Sequence, residues 1–253
     1  MTLYNSTQSI RDQFASLLTE EKFTSVNREA SMTSLVGSHT IEIVGASFIA
    51  DQDTIFGNVN WDYVQREEQW YNSMSLNVND IPGGTPAVWK AIAAKDGTIC
   101  SNYGWVIYSE KNGDQLAHII AELKKNPESR RAIAIYTRPS MWQEYNWDGR
   151  NDFVCTNTVQ YLVRDGLIHA VVNMRSNDAH LGYRNDRAWQ HHVLLTVAGT
   201  LNLPVGNLYW QVGSIHVYER NFYLVDHFSR TGEIAITKTK YRELYPTSPY
   251  VKE

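Results

Sequence analysis

The sequence predicts an α+β fold in which helices flank one large mixed β-sheet. Some segments repeat apolar residues with the period of an α-helix, others are rich in β-branched and apolar residues, and the two kinds do not alternate strictly along the chain. We expect the 253 residues to form a single domain. Residues 1–40 would be a variable N-terminal helix and loop, and residues 245–253 an irregular tail.

The first half of the chain is predicted to be mainly helical. Ile10, Phe14 and Leu17 recur at helical spacing, and Ser6 or Thr7 is suited to cap that helix. Residues 23–40 are expected to be a loop. The elements predicted next are a strand over Ile41–Ile49, a helix over Asn60–Met74, a short helix within residues 85–114 followed by a loop around Asn102–Gly104, and a helix around Leu116–Leu123.

The second half is predicted to be rich in strands. Asp165-Gly166 is a hairpin signal between two strand-like segments, because both residues tolerate the positive φ of a tight turn. The predicted elements are strands over Ala132–Thr137, Phe153–Val163 and Leu167–Met174, a helix over Arg184–Leu201, a strand over Leu208–Tyr218 interrupted at Gly213, a helix over residues 219–230 and a short strand over Ile234–Thr237.

Composition and charge exclude several classes of function. Hydrophobic residues make up 43% and charged residues 20%, which is ordinary for a globular protein and excludes a fibrous or disordered chain. The net charge of -4 provides no general attraction to nucleic acid or to an anionic membrane. There is no signal-peptide pattern, no apolar run of membrane-spanning length and only two cysteines, so we expect a cytoplasmic protein with reduced thiols.

Familiar cofactor and metal motifs are absent from the sequence. Neither a dinucleotide-binding glycine pattern nor a P-loop occurs. His191 and His192 are adjacent, and neighbouring residues on a helix point about 100° apart, which is a poor arrangement for chelation. We therefore predict no metal site.

Cys155 is the candidate nucleophile. A lone cysteine is more often a small core residue, so its neighbours in the sequence decide the matter. The doublet Arg130-Arg131 precedes one apolar run, and Arg175-Ser176 ends another. Several guanidinium groups with a hydroxyl suit a phosphate dianion, and cations near a thiol favour the reactive thiolate.

An ordered set of motifs resembles the thymidylate synthase family. The set consists of Ser129–Arg131, Cys155 with Gln160, Met174–Asp178, Leu181–Asp186 and Val212–Tyr218. The similarity covers residues 41–240 and is closer to the phage branch of the family, which hydroxymethylates dCMP. The resemblance implies a thymidylate synthase-like domain.

The resemblance also implies a reaction. dCMP, 5,10-methylenetetrahydrofolate and water would give 5-hydroxymethyl-dCMP and tetrahydrofolate, with the folate as co-substrate. Cys155 would add to C6 of the pyrimidine, so that C5 attacks the one-carbon unit, and water would complete the transfer.

Individual roles follow from the matching positions in the family. The resemblance assigns catalysis to Cys155, Glu67, Asp186 and Tyr103, nucleotide binding to Arg130, Arg131, Arg175, Ser176, Gln160, Asp186, His216 and Tyr218, and folate binding to Asp178 and Trp89. Without the resemblance, Glu67 would be placed on a solvated helix face and His216 in the core. Trp89 and Tyr103 would then be core or loop aromatics.

Asp186 is expected to select the base. Thymidylate synthases have asparagine at this position, which matches uracil, whereas a carboxylate accepts from the N4 amino group of cytosine. The sequence thus predicts dCMP over dUMP. An alternative role for Asp186 is the N-cap of a helix over Arg187–Leu201.

The sequence departs from the family pattern at three points. Thr156 follows the nucleophile where histidine is usual, and Ser214 stands where aspartate is usual. The stretch before the strand at Ile41 lacks the expected phosphate arginine, and Arg28 lies too far upstream to align.

The partners implied by the resemblance are dCMP, folate and a second copy of the chain. Arg130 and Arg131 would reach the phosphate site of the partner in a homodimer. A nucleotide-synthesis complex is a further candidate partner, and the compartment would be the host cytoplasm if a phage encodes the protein. The alternatives are dUMP hydroxymethylation, dCMP methylation, thymidylate synthesis, or a nucleotide- or RNA-binding relative without activity.

Overall fold

The computed structural model describes residues 5–25 and 39–251. Their contacts fall into two compact units. The terminal unit contains the described residues up to Val59, together with Ser176–Ala188 and those from Trp210 onwards; the central unit contains Asn60–Arg175 and Trp189–Tyr209. Within these described residues, no helix has the length and apolarity needed to cross a membrane.

Helices and strands are mixed along the chain, which confirms the predicted α+β class. In chain order they are α1 (Thr7–Thr19), β1 (Thr24–Ser25), β2 (His39–Ile49), α2 (Trp61–Ser73), α3 (Ala87–Ile92), α4 (Tyr103–Tyr108), α5 (Gln115–Lys125), β3 (Ile133–Ile135), α6 (Met141–Glu144), β4 (Thr156–Arg164), β5 (Leu167–Asp178), α7 (Leu181–Leu201), β6 (Val205–Tyr218), α8 (Phe222–Thr231) and α9 (Lys238–Leu244). The strands are hydrogen-bonded in the order β1-β2-β6-β5-β4-β3.

In the terminal unit, α1 packs against β2 and α8. Ser6 caps the helix as predicted, and the Ser6 and Ser9 side chains form a capping box. Phe14 is fully buried and makes an edge-to-face contact with Phe56 at 6.0 Å between ring centroids. Arg11 is also buried, and its guanidinium donates to the backbone carbonyls of Thr54 and Ile55. These bonds compensate the charge that burial removes from water.

In the central unit, β3, β4 and β5 form consecutive antiparallel pairs. The predicted turn at Asp165-Gly166 is confirmed: both residues have positive φ, at 52° and 76°, and Arg164 pairs with Leu167. Two positive φ values are typical of a type I′ turn, whose twist matches that of the flanking strands. The turn therefore fixes the register in which β4 meets β5.

Some predicted boundaries are wrong. Asn102–Gly104 is not a loop, because the Asn102 side chain accepts from the Trp105 N–H and thereby starts α4. Ile234–Thr237 forms no strand; Thr237 instead caps α9 by accepting from Lys240 N. Gly213 does not interrupt β6.

The predicted loop over residues 23–40 is wrong at its two ends. Thr24–Ser25 forms β1, and its partners His39 and Thr40 belong to β2. Strand pairing satisfies the backbone groups that a loop would leave to water. Residues 26–38, including Arg28, lie outside the described residues.

The contact between α2 and α4 depends on a glycine. A Cβ atom on Gly104 would lie 1.8 Å from the carbonyl oxygen of Tyr71. Backbone cannot yield to such an overlap as a flexible side chain can, so the two helices would have to separate. Gly199 in α7 offers a matched contrast, because a Cβ there meets nothing within 4 Å.

We predict that Gly104→Ala destabilises the protein by about 3 kcal/mol, as expected for overpacking of a tight contact. Gly199→Ala should stabilise it by up to about 1 kcal/mol, because alanine has the higher helix propensity. Urea unfolding followed by circular dichroism measures both values. Equal effects of the two substitutions would show that the Gly104 contact does not limit the packing of α2 on α4.

Candidate active site

Cys155 lies immediately before β4 and is half-buried. Its carbonyl accepts from the backbone N–H of Arg175 on the neighbouring strand β5 at 2.9 Å. A guanidinium nitrogen of the same arginine lies 3.7 Å from the Cys155 sulfur. The structure thus places a cation beside the thiol, as the sequence predicted.

The segment that leads to Cys155 also orients Arg175. Its guanidinium donates to the carbonyls of Val154 at 2.9 Å and Phe153 at 2.6 Å. The same group lies over the Phe153 ring, 5.1 Å from its centroid. The charged group is therefore held in one orientation next to the sulfur, and its predicted role in phosphate binding remains a prediction.

Glu67 lies on α2 and is only 5% exposed, so it does not belong to a solvated helix face. One carboxylate oxygen accepts from the Tyr63 hydroxyl at 2.6 Å and from the Trp89 indole N–H at 3.0 Å. Trp89 also donates to the Tyr63 oxygen at 2.9 Å. Two side chains named by the resemblance, Glu67 and Trp89, are thus in direct contact.

Tyr63 is a member of this group that the sequence did not single out. Burial, followed by the nearby Glu67 carboxylate, raises the pKa of its phenol. The hydroxyl therefore remains protonated at neutral pH and donates to Glu67. The sequence feature that could have identified Tyr63 is its spacing from Glu67, because residues four apart share one face of a helix.

Tyr103 begins α4 and is buried. Its hydroxyl oxygen accepts from the Thr156 hydroxyl at 3.0 Å, and its ring stacks on Tyr71 with 5.3 Å between centroids. Thr156 is the residue that replaces the usual histidine after the nucleophile. The structure therefore connects Tyr103 to the residue next to Cys155.

Arg130 and Arg131 lie just before β3, and Gln160 lies on the neighbouring strand β4. Gln160 donates to the Arg130 carbonyl at 2.8 Å. The Arg131 side chain is 77% exposed and forms an ion pair with Glu122 at 3.0 Å. An exposed pair of this kind is weak, so Arg131 can exchange Glu122 for another anion at little cost.

The terminal unit contains the remaining predicted residues. Ser176 and Asp178 end β5, and the Asp178 carboxylate accepts from the His180 N–H at 2.9 Å. His216 and Tyr218 end β6; both are buried, and their rings meet edge to face at 4.8 Å. These two residues, both predicted to bind the nucleotide, are thus neighbours.

Asp186 is the sixth residue of α7, which begins at Leu181. The alternative role as an N-cap is therefore wrong, since the helix starts six residues earlier than that role requires. One Asp186 carboxylate oxygen accepts from the Asn177 amide at 2.8 Å. The carbonyl oxygen of the same Asn177 amide accepts from the Trp210 indole N–H at 3.2 Å. Neither Asn177 nor Trp210 was assigned a role from the sequence, although Asn177 lies inside the motif Met174–Asp178.

Comparison with known proteins identifies the family. Residues 37–241 match the model of the thymidylate synthase family. The chain belongs to the thymidylate synthase family. A solved structure, thermostable thymidylate synthase A from Bacillus subtilis, is similar to the chain with a TM-score of 0.65 at 23% identity, over 87% of this chain and 83% of that one. The predicted thymidylate synthase-like fold is confirmed.

Some relatives within the family are much more similar in sequence. The deoxycytidylate 5-hydroxymethyltransferase of Enterobacteria phage T6 is 56% identical over 213 residues, covering 81% of this chain and 87% of the relative. The enzyme of the same name from phage T4 is also 56% identical, covering 81% and 86%. The thymidylate synthase of Bacillus subtilis subsp. natto is 28% identical, covering 73% and 68%.

The two cysteines differ sharply in environment. Burial, followed by the adjacent Asp152, raises the pKa of Cys100 to about 12. The Cys100 thiol also donates to the Asp152 carbonyl at 3.0 Å and is only 4% exposed. Cys155 is half-buried beside a guanidinium.

We predict that iodoacetamide at about pH 8 alkylates Cys155 and spares Cys100, because only a thiolate within reach of solvent reacts. Peptide mass spectrometry after timed quenching checks the site. Labelling of Cys100 should appear only in urea or as the pH approaches its raised pKa. Equal labelling of both cysteines in the folded protein would contradict this contrast.

Proposed function

We propose that the protein is a deoxycytidylate 5-hydroxymethyltransferase that uses 5,10-methylenetetrahydrofolate as co-substrate. The observation that carries the proposal is the pairing of the Cys155 sulfur with the Arg175 guanidinium in a chain 56% identical to phage enzymes of that name. A thiolate held beside a fixed cation is the nucleophile that this chemistry requires.

The proposed reaction starts when the Cys155 thiolate adds to C6 of the cytosine ring. The new C–S bond breaks the aromatic conjugation, so C5 gains carbanion character and forms a bond to the one-carbon unit of the folate. Loss of the C5 proton and of tetrahydrofolate leaves an exocyclic methylene. Water then adds to that carbon, the C–S bond breaks, and 5-hydroxymethyl-dCMP is released with Cys155 regenerated.

We assign the handling of protons and water to the group around Glu67. The buried carboxylate has two donors on a single oxygen, Tyr63 and Trp89, which limit its rotation. A carboxylate in a fixed orientation can direct water towards a reacting carbon. Tyr103 is proposed to act near the C5 proton, supported by its contact with Thr156. Trp89 and Asp178 are proposed to contact the folate.

Asp186 is proposed to recognise cytosine. Its carboxylate can accept from the N4 amino group and can pair with N3 once that nitrogen is protonated in the covalent adduct. The phosphate is assigned to Arg175 and Ser176, the deoxyribose hydroxyl to His216 and Tyr218, and a further nucleotide contact to Gln160. These roles rest on the family motif.

Product mass after incubation with dCMP and 5,10-methylenetetrahydrofolate tests the function. We expect the nucleotide to gain one CH₂O unit, whereas a gain of CH₂ would indicate methylation. dUMP offered in competition should react more slowly, because a mispaired buried polar edge costs about 1–3 kcal/mol.

Two variants test which residues are responsible for that activity. Cys155→Ser should abolish turnover while dCMP binding measured by calorimetry persists. Asp186→Asn should shift the preference towards dUMP by about tenfold to a hundredfold. Normal turnover by Cys155→Ser, or unchanged dCMP selectivity in Asp186→Asn, would refute the corresponding role.

We further propose that the chain acts as one catalytic domain within a homodimer, in which Arg130 and Arg131 bind the phosphate in the partner's site. Their exposure supports this role, as do the exposed side chains of Ile133 and Ile135 on β3, which are 37% and 53% exposed. We also propose that the reaction takes place in the cytoplasm, that of the host if a phage encodes the chain. A nucleotide-synthesis complex would be a natural partner.

Mixing two inactive variants tests the shared site. Arg131→Ala and Cys155→Ser should each be inactive. Subunit exchange should restore up to about a quarter of wild-type activity, because about half of the dimers become heterodimers and each heterodimer contains one intact site of two. Activity that stays at the level of the separate variants after verified exchange would show that each site is built from one chain.

A further inference from the structure

Asn177 lies on β5, the strand that carries the active-site motif, and contacts Asp186 on the helix α7. It is the penultimate residue of β5 and is only 2% exposed. Its two partners, Trp210 on β6 and Asp186 on α7, come from different elements of the terminal unit. A buried amide with both ends occupied is fixed in position.

The orientation of this amide is determined by Trp210. An indole N–H can only donate, so the Asn177 atom that faces it at 3.2 Å must be the carbonyl oxygen. The NH₂ group therefore points to the Asp186 oxygen at 2.8 Å. Trp210 itself is fully buried, which leaves its indole little freedom to turn away.

A glycine keeps the strand end and the first turn of the helix close together. A Cβ atom on Gly182 would lie 3.2 Å from the Asn177 nitrogen and 3.3 Å from the Asp178 Cβ atom. It would also lie 3.7 Å from the Asp186 oxygen. The absence of a side chain at residue 182 thus leaves room for the amide to reach the carboxylate.

We infer that Asn177, oriented by Trp210, is a positioning residue that sets the specificity of the enzyme for cytosine through Asp186. The inference rests on the proposed function, in which Asp186 recognises the base. The amide offers a donor and no acceptor to the carboxylate, so the Asp186 oxygen that faces it must be an unprotonated acceptor. The contact thereby holds the carboxylate in one plane with an acceptor oxygen in a fixed position, as recognition of the N4 amino group requires.

Asn177→Leu tests this inference, because leucine has a similar shape and lacks the donor. We measure kcat/KM for dCMP and the inhibition constant of dUMP in one assay, with thermal melting as a check of folding. The preference for dCMP is the ratio of kcat/KM for dCMP to the reciprocal of the inhibition constant of dUMP. This ratio should fall by about tenfold or more, as expected for a lost hydrogen bond to a charged group. Asn173→Leu on the same strand is the matched control and should change that ratio by less than about twofold.

A double-mutant cycle separates positioning from general damage. In the Asp186→Asn background, Asn177→Leu should change the ratio by less than about twofold, because the group through which it acts has been replaced. A loss of similar size in both backgrounds would overturn the inference. If Asn177→Leu does not fold, Trp210→Phe serves instead: it retains the amide, removes the donor that orients it, and should lower the ratio by about threefold to tenfold.

The outcomes distinguish the inference from the function on which it rests. If the wild-type protein does not convert dCMP, or if Asp186→Asn keeps the wild-type ratio, the proposed function or the role of Asp186 fails. If Asp186→Asn shifts the ratio while folded Asn177→Leu or Trp210→Phe leaves it unchanged, the role of Asn177 alone is refuted.

Discussion

The removal of charged groups from water is the constraint on which the described sites depend. Glu67 and Arg11 are buried, and each obtains partners of opposite polarity from groups with little freedom to move. Arg175 is exposed, but partners of the same kind hold its guanidinium. Arg11 and Arg175 donate to backbone carbonyls, whereas Glu67 accepts from a phenol and an indole. Such partners hold a charge in one orientation, and chemistry on a substrate requires a defined orientation.

Two tryptophans have comparable roles in different units. Trp89 donates its indole N–H to Glu67, and Trp210 donates to Asn177, which in turn donates to Asp186. An indole cannot accept a hydrogen bond through its nitrogen and does not titrate near neutral pH. The atom that its N–H faces must therefore be a hydrogen-bond acceptor. In each case a large aromatic side chain contributes to packing and also donates a hydrogen bond that orients a polar partner.

The sequence was sufficient for the fold class, for most helices and for the hairpin, because these follow from local periodicity and turn chemistry. The order of the motifs along the chain was sufficient to identify the family. Short elements such as α6 and α9, and the start of α4, depend on caps or tertiary contacts and were missed or misplaced. Tyr63 and Asn177 were not assigned roles, because their importance lies in which atoms they meet across the fold, and no local pattern encodes that.

The hairpin formed by β4 and β5 has a consequence for how the protein folds. Cys155 precedes the first strand and Arg175 lies near the end of the second, so zipping the two strands from the Asp165-Gly166 turn brings thiol and guanidinium together. The pair is separated by 20 residues in sequence, a short loop whose closure has a low entropic cost. Hairpins form in about 1–10 μs, far faster than long-range pairings. The reactive pair is therefore encoded within one local folding unit and does not have to wait for the chain termini to meet.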